Sequence, residues 1–248
     1  MKLNKNILRG AALMIVGCLS IAPTASGALV FNETFENYNT GNVDGQGAWV
    51  DFGGSRLTNV VDTLNNGGSQ SLEFSTNPGY GSDAYFDLAD PITSGQLALS
   101  FDIYQPTGFD GRAHIFISRG PTGAGPPANV FHEGFHFQGD GTAGTFFDSG
   151  SITTPLLLDQ WVNVRVDIDL DANTAVASYG GTEIFNGAWN NGGTSPNQYQ
   201  GVNIWAAQGA TVGAFNIDNF SLDIVPEPSG VTLLGLGFLG LGLRRRRS

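Results

Sequence analysis

The sequence predicts an all-β fold, a single antiparallel β-sandwich, and three observations carry the prediction. Apolar residues alternate with polar ones instead of recurring at helical spacing. Gly-rich turns separate the alternating runs, and no stretch of a dozen residues carries an apolar stripe at i, i+3, i+4. The 248 residues include 36 Gly and 17 Phe with only 13% charged residues, a composition that suits many short strands joined by tight turns.

Residues 1–27 are predicted to be a secretory signal helix. Lys2, Lys5 and Arg9 make a basic start, residues 11–22 are mostly apolar, and Ala25-Ser26-Gly27 puts small residues at the cleavage positions. Ile15-Val16-Gly17-Cys18 is similar to a lipobox, but the apolar run continues past Cys18 where a lipidated cysteine normally meets polar residues. Cleavage is expected near Gly27 or Ala28. Cys18 is the sole cysteine, so an exported body contains no disulfide. A body of about 200 residues buries roughly 70% of its unfolded surface and needs none.

Residues 28–224 form the predicted sandwich. Leu97, Leu99, Phe101 and Ile103 alternate with Ala98, Ser100, Asp102 and Tyr104; Val162, Val164, Val166, Ile168 and Leu170 alternate with Asn163, Arg165, Asp167 and Asp169. Each run describes a half-buried strand with one wet face. Asn65-Asn66-Gly67-Gly68, Gln138-Gly139-Asp140-Gly141, Asp171-Ala172-Asn173-Thr174 and Gly180-Gly181 supply the turns. Near the end, Phe215 and Ile217 share one parity and Phe220, Leu222 and Ile224 the other, which predicts a bulge at Asp218-Asn219. Between the two ends there are four Arg, no Lys and 21 acids, a net charge near −17. Phosphate contacts need clustered Lys and Arg, so nucleic acid is excluded as an expected partner.

Residues 225–248 differ in kind. Pro226-Glu227-Pro228 is followed by a Gly/Leu-rich stretch, 231–243, predicted as a short apolar helix, and then by Arg244, Arg245, Arg246 and Arg247. Thirteen helical residues span about 20 Å, short of the roughly 30 Å core of a bilayer. The arginines act as a stop that keeps the chain end on the cytoplasmic side of the inner membrane while the body is exported. The segment Gly235-Leu236-Gly237-Phe238-Leu239-Gly240 spells G-x-G-x-x-G, but it lacks the preceding strand and the acid about 20 residues on that a dinucleotide site requires.

Taken in order, these three parts of residues 225–248 resemble the PEP-CTERM sorting signal. The resemblance implies recognition by exosortase, a membrane-embedded cysteine peptidase, which releases or transfers the exported protein in bacteria that make exopolysaccharide. The body resembles the laminin-G-like and concanavalin-like jelly rolls. Residues 33–49 look like their opening strand and loop, 161–185 like their central hairpin, and 215–225 like their last strand. Such domains often join their first and last strands through a structural Ca²⁺, which here implies Glu33 or Glu36 together with Asp218.

Several other motifs in the body resemble chemical sites. His132, Glu133 and His136 spell H-E-x-x-H, the zinc-peptidase pattern, which requires a helix to bring both imidazoles onto one face. Gly134, three Phe residues and Pro126-Pro127 argue for a strand there. A third ligand is wanting too, since the longer metzincin pattern would need one at Thr142 and the only other histidine is His114. Asp167, Asp169 and Asp171 open like an EF-hand loop, but Ala172 and Ser178 stand where Gly and Glu are needed. Neither G-x-S-x-G nor the E-x-D-x-x-E of sandwich glycosidases occurs. Trp49, Trp161, Trp189 and Trp205 offer either core packing or a platform for sugars. The expectation is a non-catalytic protein of the cell surface or extracellular matrix, exported and processed at its tail. A lectin-like exopolysaccharide-binding module is the alternative, and a zinc metallopeptidase using residues 132–136 a more remote one.

Overall fold

The computed structural model describes residues 28–52, 58–77, 80–109, 111–120, 131–138, 142–145, 153–190, 196–207 and 213–226. The predicted signal helix of residues 1–27 and the predicted apolar helix of the tail lie outside the described residues. Among those described there is no helix, and 17 strands carry the fold. In chain order they are β1 Ala28–Glu33, β2 Gly41–Asn42, β3 Trp49–Asp51, β4 Thr58–Val61, β5 Ser71–Asn77 and β6 Tyr80–Gly81. There follow β7 Asp83–Ile92, β8 Gln96–Tyr104, β9 Arg112–Ser118, β10 Phe131–Gln138, β11 Thr142–Thr145 and β12 Thr153–Pro155. The last five are β13 Trp161–Asp169, β14 Thr174–Tyr179, β15 Thr182–Ala188, β16 Tyr199–Ala207 and β17 Gly213–Val225.

They form two antiparallel sheets. One runs β15-β14-β13-β8-β17-β5-β4-β2, with β1 also on β17 and β6 on β5; the other runs β12-β11-β10-β9-β16-β7-β3. The period-2 patterns become the two inner faces. Along β13, Val162, Val164, Val166 and Ile168 are buried while Asn163, Arg165 and Asp167 are exposed. The sheets meet through aromatic rings: Phe101 of β8 against Phe135 of β10, and Phe220 of β17 against Phe86 of β7 and Trp49 of β3. Fully burying such a ring is worth about 1.5–3 kcal/mol, so this layer is the main source of stability.

The turns follow the residue chemistry. Gly180 and Gly181 both take positive φ (56° and 78°), the left-handed pair that a two-residue hairpin between β14 and β15 demands. β10 and β11 pair antiparallel with Gln138 opposite Thr142, while residues 139–141 of the predicted turn lie outside the described residues.

The predicted bulge is present and does more than bend a strand. Between Asp218 and Ser221 the pairing of β17 with β8 slips by one residue, and Asn219 takes a φ of 51°. On its other edge β17 changes neighbour at the same place. Gly213–Ile217 pair with β5, whereas Phe220–Ile224 pair with β1. Switching partners requires a break in the ladder, and the extra residue supplies it.

Candidate functional site

Five groups of residues are candidates from the sequence, and the fold treats them differently. His132, Glu133 and His136 lie on β10, a strand, with Phe135 and Phe137 buried in the core. The helical zinc arrangement is thereby corrected: a period of 2 cannot place positions 132 and 136 one turn apart on a helix. The fold instead sets His136 opposite His114 of β9, and His114 opposite Trp205 of β16.

This row belongs to the outward face of the second sheet. The His114 ring stacks on Trp205 at 5.2 Å and 20°, and on Phe116 at 5.7 Å and 11°. Burial, then His136 and Arg112, hold the His114 imidazole down at about 4, so it is neutral at ordinary pH. Beside this stack, Asn203 donates to Asp83 Oδ1 at 2.6 Å, and Tyr85 sits opposite Asn203. Burial, then Asp87 and Asp44, push the Tyr85 hydroxyl up, which marks this corner as acidic. Gly201 is required here, because a Cβ would collide with the Phe86 carbonyl oxygen and the Asp87 carboxylate. The face thus carries partly buried aromatic rings, while Asn203 and Asp83, both buried, bond to each other beside them.

The four tryptophans separate cleanly. Trp49 and Trp189 are fully buried and belong to the core. Trp161 rests on Tyr104 at 5.6 Å and donates from Nε1 to the Asn65 carbonyl at 2.9 Å, holding a loop. Trp205 is the one on the outward face of the second sheet.

The carboxylates expected to bind calcium split in two. Glu33 accepts from the Phe35 amide at 3.1 Å and from the Tyr38 hydroxyl, closing its own turn. Glu36 and Asp218 instead converge on the loop between β4 and β5. Glu36 accepts from the Ser69 amide at 2.8 Å, the Ser69 hydroxyl at 2.5 Å and the Gln70 amide at 3.0 Å. These donors hold the Glu36 carboxyl below its ordinary range. Asp218, 1% exposed, accepts from the Asn66 amide at 2.8 Å and the Asn219 amide at 2.7 Å. Burial raises its carboxyl to about 6 against those two bonds, with Glu36 and Asp102 adding like charge. Asp102, which the sequence did not single out, accepts from Asn66 Nδ2 at 2.7 Å and Asn219 Nδ2 at 3.0 Å. These carboxyl oxygens are engaged by amide and hydroxyl donors, and among the described residues no three His, Cys, Asp or Glu side chains are grouped to hold a metal ion.

The Asp-rich hairpin is structural. Arg165 grips Asp167 through two hydrogen bonds of 2.9 and 2.5 Å, Asp169 accepts from the Ala172 amide at 2.7 Å, and Asp171 from the Gly95 amide at 2.9 Å. Each carboxylate pins a turn or an arginine. Of the sorting residues, Pro226 directly follows β17; Glu227, Pro228 and Arg244 to Arg247 lie outside the described residues.

Residues 225–247 match the family model of the PEP-CTERM protein-sorting motif. No curated protein sequence matches the chain. Among solved structures, the catalytic domain of the glycoside hydrolase family 131 protein from Coprinopsis cinerea is similar at a TM-score of 0.58 and 14% identity, covering 82% of this chain and 96% of that one. A sialidase is similar at 0.57 and 10% identity over 79% of this chain, which spans only 18% of the sialidase. The cellulose induced protein Cip1 is similar at 0.51 and 15% identity, covering 77% and 96%. At these identities the likeness is one of fold, a β-sandwich of jelly-roll type.

Proposed function

We propose that this chain is an exported, non-catalytic surface or matrix protein. In this reading its sandwich crosses the inner membrane, is held there by the tail, and is then processed by an exosortase-type peptidase. The observation that carries the reading is the sorting motif at 225–247, which begins at the last residue of the final strand. Processing breaks one peptide bond of the tail. The acyl group passes to water, giving release, or to an acceptor amine, giving transfer, and the new amino terminus stays with the apolar fragment. Deleting residues 226–228 should leave unprocessed protein in the inner membrane; normal processing of that variant would refute the reading.

A second reading, exopolysaccharide binding, draws support from the outward face of the second sheet. Sugars offer apolar C–H faces to aromatic rings, and the Trp205–His114–Phe116 stack supplies such rings on this face. Retention on the host's exopolysaccharide should fall sharply in Trp205→Ala. Equal retention of that variant would remove this reading and leave the first intact. Glu36 and Asp218, both bonded to the β4–β5 loop, are kept as the proposed pair of carboxylates for a structural calcium that fastens this loop to the bulge of β17.

A further inference from the structure

We propose that the segment read by the tail-processing peptidase extends upstream of Pro226 into the end of β17, and that this strand end must peel from β8 and β1 before processing. The inference rests on the sorting reading above and adds a folded-state step to it.

The geometry poses the problem. β17 remains in the ladder to its last residue. Val225 pairs with Gln96 of β8, while Ile224 pairs with Leu97 on one side and with Ala28 of β1 on the other. Pro226 follows at once, and the sequence leaves only residues 227–230 before the apolar stretch. A peptidase holds its substrate as an extended strand whose backbone groups bond to the cleft. The amides and carbonyls of residues 223–225 are already engaged on one or both edges of β17. They cannot serve the fold and the peptidase together.

The same strand end is built to release. Phe220 and Leu222 are fully buried, but Ile224 is 36% exposed and its neighbour Leu29 on β1 is 60% exposed. Peeling back to Asp223 therefore breaks backbone bonds with little loss of core, whereas peeling past Leu222 would pull a side chain out of the sandwich. The register of β1 slips between Leu29 and Phe31, which separates the first rungs from the rest. Local opening of a ladder end is a low-energy event of this kind, and cleavage of an opened segment follows its population. The strand parity thus sets a natural stop at Leu222.

The test uses the full chain in its own host. Leu29 and Asp223 are cross-strand partners, as are Asn32 and Ser221. Because the sole cysteine is Cys18, in the predicted signal, paired cysteines form a disulfide without competitors in the body. Tail processing is followed by pulse-chase and intact mass in Leu29→Cys/Asp223→Cys, and in Asn32→Cys/Ser221→Cys, which leaves residues 222–225 free. The first lock should slow processing about tenfold or more, the second much less, since cleavage tracks the open population. Reductant, or a six-residue Gly-Ser spacer inserted after Val225, should restore the rate in the first. The reduced form of the same variant controls for misfolding. Wild-type processing with the Leu29/Asp223 disulfide shown intact would overturn the peeling step alone. A wild-type chain that is never processed, or a 226–228 deletion processed normally, would overturn the sorting reading together with it.

Discussion

At Phe220 rings from both sheets and from β1 converge: Phe31 at 5.8 Å, Trp49 at 5.8 Å, Phe86 at 6.2 Å and Phe101 at 5.8 Å. Phe220→Ala would empty the centre of that cluster, and chemical denaturation should show a loss of about 3–5 kcal/mol. Two residues earlier the chemistry reverses. Asp218 has a carboxyl raised to about 6, so the fold favours its protonated form more than the unfolded chain does. Its ionised form therefore weighs against folding, and lowering the pH from 7 to 5 should raise the melting temperature in the presence of a chelator. Asp218→Asn should lack that gain. Calcium bound at the proposed site would reverse the preference by stabilising the ionised carboxylate. At about a hundredfold over its Kd it should add about 2.7 kcal/mol, and Glu36→Gln or Asp218→Asn should abolish the effect. An unchanged wild-type melt with calcium would remove the site.

At the scale of the element, β10 is the sharpest case, because residues 131–138 can be read as a zinc helix or as a strand. The strand reading predicts opposite behaviour at neighbouring positions. Phe137→Ala should cost about 3–5 kcal/mol, and His136→Ala, facing outward, under about 1 kcal/mol. Comparable losses at both positions would contradict the assignment. This strand was legible because Gly134 and the three Phe residues oppose a helix while alternation suits a sheet. The bulge was legible too, since a change of parity at Asp218-Asn219 has few other meanings. What could not be read were the partners. Asp102 alternates like any wet-face residue of β8, and only the placement of β8 beside β17 brings it to Asn219. Trp205 and Trp49 likewise look alike in sequence, because burial depends on which face of which strand meets the other sheet. Glu33 and Glu36 were equally plausible early acids until the turn at Phe35, with its φ of 63°, sent Glu33 back to Tyr38 and Glu36 toward Ser69.

For the whole molecule, the order of the sheets places the start of the sorting motif on a central strand. The long central strands β8 and β17 carry the core, and β1 closes against the final half of β17. The segment bearing the sorting motif therefore leaves from a central strand of the larger sheet and not from a loose linker. That placement was foreshadowed by the absence of a Pro/Ser-rich spacer before Pro226, although the pairing that makes it consequential spans nearly the full length of the chain. The acidic, Lys-free body contrasts with the basic terminal segments, the charge division that the proposed export requires.

The central claim, that this sandwich is exported and then parted from its tail, is tested most directly by cell fractionation with intact-mass measurement of the mature chain. The account predicts a species outside the inner membrane whose mass begins near residue 28 and ends at the Pro226–Pro228 segment, either free or joined to an acceptor. A mature chain that keeps Arg244 to Arg247 and stays in the inner membrane would contradict it.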